Sequence, residues 1–203
     1  MLRAARIEGF TAPGLTEKII TTLFADDTST FLSKGDKWRD LWGILRTWCK
    51  ASKARFNGGK TEVIPVGTKE YRREVIRSRR INPYGDDDDL IEDTIRIAPD
   101  GEPTRILGAW IGNKVDQVAI WTPTIQKIRA FVERWMKCRP TMTGKRHIAQ
   151  MGPAGISQYL TLVQGMPTSV ETELQNIVRE MIWGETRSPP VAMQQLYKPV
   201  EDG

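Results

Sequence analysis

The sequence predicts an α+β fold, and three observations carry that expectation. Short strand-like runs bounded by turn residues occupy the first half of the chain. A helix-period segment lies among them. Beyond about residue 120 the apolar residues recur only at helical spacing, so helices without strands follow. With 203 residues, 39% hydrophobic and 27% charged, the chain can bury a core and reads as soluble and globular.

Residues 7–14 read as loop or edge strand, broken by Gly9, Pro13 and Gly14. Ile19-Ile20-Thr21-Thr22-Leu23 and Thr28-Ser29-Thr30-Phe31-Leu32 read as a β-hairpin with Phe24-Ala25-Asp26-Asp27 between them. Gly35-Asp36 opens a helix with Asp36 as N-cap, and Trp38, Leu41, Trp42, Leu45, Trp48 and Cys49 share its apolar face. Asn57-Gly58-Gly59 ends that segment, and residues 61–67 read as a short strand that Pro65 confines to an edge. Residues 69–80 are basic and helical in pattern, with Arg72, Arg73, Arg77, Arg79 and Arg80 on a solvated face or against phosphates. The acidic run at residues 86–89 reads as a solvated loop.

Residues 94–98 and 104–111 flank Pro99-Asp100-Gly101, which predicts a second hairpin turning there. Thr122-Pro123 predicts a helix start, with Ile125, Ile128, Val132 and Trp135 on one face. A second helix from about Thr143 carries Ile148, Met151, Ile156, Tyr159, Leu160 and Val163, and Gly152-Pro153 should kink or split it. Thr168-x-x-Glu171 reads as the capping box of a third helix burying Leu174, Ile177, Val178 and Met181. Ser188-Pro189-Pro190 ends the helical part.

The net charge of +5 permits an anionic partner, nucleic acid before others. Two cysteines, Cys49 and Cys138, are too few and too far apart for a disulfide framework or a cysteine-rich zinc site, and they fit a reducing compartment. His147 is the only histidine, which excludes a paired-histidine zinc site. No signal peptide and no membrane-spanning run is visible, so the expectation is an intracellular protein, in nucleus or cytoplasm, without a membrane partner.

Two adjacent carboxylates at a hairpin tip repel each other unless a cation offsets them. Mg²⁺ prefers oxygen ligands, and paired Mg²⁺ ions drive in-line phosphoryl transfer. Asp-Asp also simply makes a good turn. Residues 54–61, Ala-Arg-Phe-Asn-Gly-Gly-Lys-Thr, come close to a P-loop, with Ala54 for its first Gly. A P-loop needs a strand before it and a helix after it, and here the order is reversed.

The order of Asp-Asp hairpin, amphipathic helix, Phe-Asn-x-x-Lys-Thr, strand, Leu-Gly hairpin and helices resembles the reverse transcriptases of non-LTR (LINE-type) retrotransposons, particularly the fungal ones. Phe24-Ala25-Asp26-Asp27 is similar to the family's [FY]-A-D-D motif, Phe56-Asn57-Gly58-Gly59-Lys60-Thr61 to the next motif, and Ile106-Leu107-Gly108-Ala109-Trp110-Ile111-Gly112 to the primer-grip motif. Residues 122–183 then correspond to the thumb, and Leu196-Tyr197-x-Pro199-x-Glu201-Asp202-Gly203 to a segment beyond it.

The resemblance implies a partial polymerase palm (an antiparallel sheet with packed helices) over residues 1–118, an all-helical thumb over 119–187 and a truncated connector tail over 188–203. It also implies RNA-directed DNA synthesis, in which a primer 3′-OH attacks the α-phosphate of a dNTP. Asp26 would ligate catalytic Mg²⁺ and Asp27 would support the metal site, while Lys60 would stabilise the leaving pyrophosphate or donate it a proton. Leu107, Gly108 and Trp110 would position the primer end, and Lys127, Arg129, Arg134, Lys145 and Arg146 would track the phosphates of an RNA template and DNA primer.

The sequence departs from the family in one respect that governs activity. The only acids before Asp26 are Glu8 and Glu17, and neither sits in the family's upstream Asp-bearing motif. The expectation is therefore a polymerase fragment inactive as an isolated chain. The alternatives are a non-catalytic nucleic-acid-binding remnant and the product of a pseudogene.

Overall fold

In the computed structural model the threonine-rich runs on either side of Ala25 pair as an antiparallel hairpin, β1 (Thr21–Phe24) with β2 (Asp27–Thr30), in the register Thr21↔Thr30 to Phe24↔Asp27. Leu2, residues 5–11, Gly14, residues 16–184, and residues 191, 192, 195 and 198 are described. At the hairpin's base the Phe31 N–H donates to the Ile20 carbonyl at 2.8 Å, and Phe10 and Ile19 exchange backbone hydrogen bonds of 2.8 and 2.7 Å.

The first helix, α1 (Trp38–Ser52), buries Trp38 and Leu41 and leaves Trp48 outside the core. Strand β3 (Glu62–Val63), helix α2 (Lys69–Ser78) and strand β4 (Arg96–Ile97) follow. β3 and β4 pair in parallel, which the intervening helix and loop permit and a tight turn would not. Ile7, Ile20, Trp38, Leu41, Val75, Ile81, Ile91, Ile95 and Ile97 form the apolar core of this part.

A second hairpin, β5 (Thr104–Ile106) with β6 (Ala109–Ile111), precedes the helices α3 (Gln117–Met136), α4 (Met142–Ala149), α5 (Gly155–Gln164) and α6 (Thr168–Trp183). Their core holds Trp121, Ile125, Ile128, Val132, Ile148, Leu160, Val170, Ile177 and Met181, with Trp121 and Ile128 fully buried. The fold is thus mixed α+β. No helix among the described residues is long and apolar enough to cross a membrane.

Contacts divide the chain into two units. The first is Met1–Thr104 with Gly112–Lys114, and the second is Arg105–Ile111 with Val115–Gly203. The Arg105–Ile111 segment thus belongs with the helices, whereas the motif pattern groups it with residues 1–118.

Several elements differ from the sequence expectations. Among the described residues the strands make three two-stranded ladders rather than one antiparallel sheet. The second hairpin does not turn at Pro99-Asp100-Gly101. The Gly101 N–H donates instead to the Asn113 carbonyl at 2.7 Å, and the chain reverses at Leu107-Gly108. Both turn residues have positive φ, 50° and 86°, the backbone of a tight two-residue hairpin turn.

Helix α3 starts upstream of Thr122, because the Asp116 carboxylate accepts from the Val118 and Ala119 N–H groups and caps it there; Pro123 then lies inside the helix. The Thr168 capping box is not formed, since Pro167 stands at the N-cap and Thr168 is already helical. Gly152-Pro153 does split its helix, through a π-helical turn over Gln150–Ala154. A Cβ at residue 152 would lie 2.5 Å from the Phe131 ring, so this crossing requires glycine. Residues 188–190, Leu196, Tyr197, Pro199 and residues 201–203, the expected stop and connector motif, lie outside the described residues.

Candidate functional site

The hairpin tip places both carboxylates in solvent. Ala25 and Asp26 form the two-residue loop, and Asp27 opens β2 opposite Phe24. Ala25 has a φ of 51°, an uncommon backbone for a residue with a Cβ, and the first loop residue of such a turn is where glycine is favoured. Holding it there costs on the order of 1 kcal/mol. Leu23 and Phe24 beside the carboxylates are 70% and 65% exposed. The tip is therefore an acidic point on an apolar, uncovered rim.

Lys60 lies in the same unit, at the end of a 3₁₀ turn over Gly58–Lys60. That turn follows Phe56, whose ring packs 5.6 Å from Trp48 and 6.4 Å from Trp42. The tryptophan stripe of α1 thus seats the Phe-Asn-Gly-Gly-Lys segment as well as the core. Lys60 is exposed, and among the described residues no ion pair joins it to Asp26 or Asp27.

Leu107, Gly108 and Trp110 come together on the second unit. The Tyr159 hydroxyl donates to the Leu107 carbonyl. A Cβ at Gly108 would lie 2.8 Å from the Tyr159 ring. Gln164 clasps Trp110 from both sides: its carbonyl accepts from the Trp110 N–H at 2.9 Å and its amide donates to the Trp110 carbonyl at 3.0 Å. The Arg105 guanidinium lies 5.8 Å from the Trp110 ring centre. These contacts fasten the Leu-Gly turn to α5.

The five helical cations have different surroundings. Lys127, Arg134 and Arg146 are exposed and have no carboxylate partner among the described residues. Arg129 is paired with Glu173 at 3.0 Å. Lys145 is half-buried and donates to the Ile182 carbonyl at 2.8 Å, so it caps the end of α6.

The charged runs have structural roles that the sequence reading did not assign. Asp36 is not the N-cap of α1; its buried carboxylate accepts from the backbone N–H groups of Glu8, Gly9 and Ser33. The cap comes from Asp89, fifty residues on, which accepts from the Trp38 and Arg39 N–H groups at 3.0 and 2.9 Å. Asp86 bonds Lys37 at 2.6 Å and Arg39 at 3.1 Å, and Asp88 bonds Arg39 at 2.9 Å. Glu92 accepts from the indole N–H groups of Trp38 and Trp42 at 2.7 and 2.8 Å.

The supposedly solvated acidic loop is thus clamped to the start of α1. The available signal was Lys37 at the N-cap, a residue with no side-chain acceptor, which leaves a demand that something distant must meet. Part of the basic run is likewise internal, while Arg73 and Arg77 are exposed. Arg72 is buried against Asp100 in a two-pronged pair, Arg79 donates to the carbonyls of Ile91, Glu92 and Ile95, and Arg80 meets Asp87 at 2.6 Å.

These contacts shift the carboxyls in a consistent direction. Hydrogen bonding to Arg72 holds Asp100 below its ordinary range, and hydrogen bonding to Lys37 does the same for Asp86. Burial works against ionised Glu92, yet its backbone hydrogen bond and the two indole donors outweigh it, and the carboxyl titrates low.

Asp26 and Asp27 are oxygen donors of the type Mg²⁺ takes. Among the described residues, however, no three His, Cys, Asp or Glu side chains come together as a metal group. Searches of protein-family models, of curated proteins and of solved structures find no match to this chain.

Proposed function

We propose that the chain is part of a non-LTR retrotransposon reverse transcriptase, the second half of the palm followed by the thumb. The observation that carries this reading is the Asp26-Asp27 pair at the exposed, strained tip of a two-residue hairpin. Support comes from the chain order behind it: a lysine-bearing turn seated on an amphipathic helix, then a Leu-Gly hairpin fastened to a helical bundle.

In this reading Asp26 and Asp27 contribute two carboxylates to the nucleotidyl-transfer site, and Mg²⁺ would supply the charge neutralisation of the transferring phosphate. Lys60 faces solvent, where a leaving pyrophosphate could take its charge or its proton. Leu107, Gly108 and Trp110 present a primer end from a turn held still by Tyr159 and Gln164. RNA template, DNA primer and dNTP are the partners. A third carboxylate would complete the two-metal set.

A second reading, a nucleic-acid-binding module without chemistry, is favoured by Lys127, Arg134 and Arg146, exposed cations with no carboxylate partner among the described residues. Sequencing the full-length transcript of this locus separates the two. The expected transcript continues in frame upstream of Met1 and encodes an Asp-bearing strand. Its full product should extend a primer on RNA, and Asp26→Ala should cost at least about 100-fold, more than loss of an outer-shell partner costs. A transcript that begins at Met1 overturns the catalytic reading and leaves the binding module. Asp26-dependent extension by the isolated chain would show that two carboxylates suffice.

A further inference from the structure

The corner between α3 and α4 is strongly basic. Residues 134–147 contain Arg134, Lys137, Arg139, Lys145, Arg146 and His147, and no aspartate or glutamate. In the basic segment around α2, Arg72, Arg77 and Arg80 pair with Asp100, Glu74 and Asp87. Here Arg134, Arg139 and Arg146 are exposed with no carboxylate partner among the described residues. Lys137 lies 3.5 Å from Glu133, with both side chains about three-quarters exposed, an arrangement worth little in water.

The same stretch carries an aromatic side chain. Trp135 is 46% exposed. The Phe131 ring lies 6.2 Å behind it, and Phe131 is in turn backed by Gly152. The corner itself is well defined: the Cys138 and Arg139 N–H groups bond the Trp135 and Met136 carbonyls at 3.2 and 3.0 Å, and Thr141 caps α4. A half-exposed π-face packed against Phe131, in a stretch whose arginines have no carboxylate partner among the described residues, matches a chain that alternates flat rings and phosphates.

We propose that the α3–α4 corner binds a single-stranded segment of nucleic acid, with one unpaired base stacked on Trp135. Arg134, Arg139 and Arg146 take the neighbouring phosphates. Single strand is favoured over duplex because a paired, stacked base has no free face to offer the indole. The inference rests on the nucleic-acid partner of the proposed function and specifies where and in what form it is held. It does not depend on Asp26, Asp27 or catalysis.

The test is fluorescence anisotropy with the full chain, a labelled oligothymidylate and a labelled hairpin duplex, at low and at physiological salt. Trp135→Ala should weaken oligothymidylate binding by about 5- to 100-fold, the range of base stacking on an aromatic side chain, and leave the duplex nearly unchanged. Trp135→Phe should restore most of the loss. Arg139→Gln should weaken binding of any strand and reduce the salt slope by about 0.7. In the unaltered chain, oligothymidylate should shield Cys138, exposed three residues beyond Trp135, from alkylation by iodoacetamide.

Oligothymidylate binding that is indifferent to Trp135→Ala, with Cys138 unshielded, overturns this inference. Duplex binding in the same experiment would then leave the proposed function standing. Binding of phosphatidylserine vesicles with no binding of either nucleic acid overturns both.

Discussion

Gly108 shows how one residue type is fixed by two separate demands. Its φ of 86° suits glycine, and the Tyr159 ring fills the space a Cβ would need. Gly108→Ala should therefore cost about 1–3 kcal/mol, as expected for strain at such a backbone, and chemical denaturation should read it as a lower midpoint. An unchanged midpoint would mean that the turn yields freely. Asp89 makes a comparable point about charge. It is 7% exposed and spends both oxygens on the first backbone N–H groups of α1. Asp89→Ala should destabilise the first unit by about 0.5–2 kcal/mol, the usual worth of an N-cap, and hydrogen exchange should show the first turn of α1 opening. The sequence revealed neither role: the acidic run looks solvated wherever its partner is unknown.

At the scale of elements, the acidic loop and the α1 start behave as one piece. Asp86, Glu92 and Asp100 all titrate below their ordinary values in the folded chain. The unfolded chain then binds more protons in acid, so their stabilisation is complete above about pH 5 and is lost as pH falls through the folded values. Melting temperature should accordingly hold level from neutrality to about pH 5 and fall below it, and Asp100→Asn should lower the plateau and soften the fall. A profile flat into strong acid would count against these pairings. Helix periods were readable here because apolar residues recur at helical spacing, although Trp48, Trp135, Met151, Tyr159 and Val163 of the expected faces are exposed. Helix starts were not, since Asp116 caps α3 upstream of the conspicuous Thr-Pro pair and α1 takes its cap from another segment. The hairpin turn was misplaced for a similar reason: Pro-Asp-Gly is a strong local signal, but Arg72 and Asn113 hold that segment to other partners.

At the scale of the whole molecule, an α+β part followed by helices was readable from composition and period. The Asp-Asp tip was readable because a two-residue turn between β-branched runs is a local matter. Helical spacing likewise fixed the apolar faces of α3, Trp135 excepted, and α6, and the glycine-proline pair fixed the break between α4 and α5. Local covalent preferences suffice for such features, since each depends on residues within one turn or one strand of each other. The partners of the charged runs depended on the fold. Arg72 with Asp100, Asp89 on α1 and Lys145 on α6 join residues 28 to 51 positions apart, a range at which sequence gives no distance. The division that unites the Leu-Gly hairpin with the helices arose in the same way, from Gln164 and Tyr159 reaching back across more than fifty residues. Which cations stay free for a polyanion is therefore a property of the folded chain, because a lysine or arginine is available only after every carboxylate and carbonyl brought near it by packing has been accounted for.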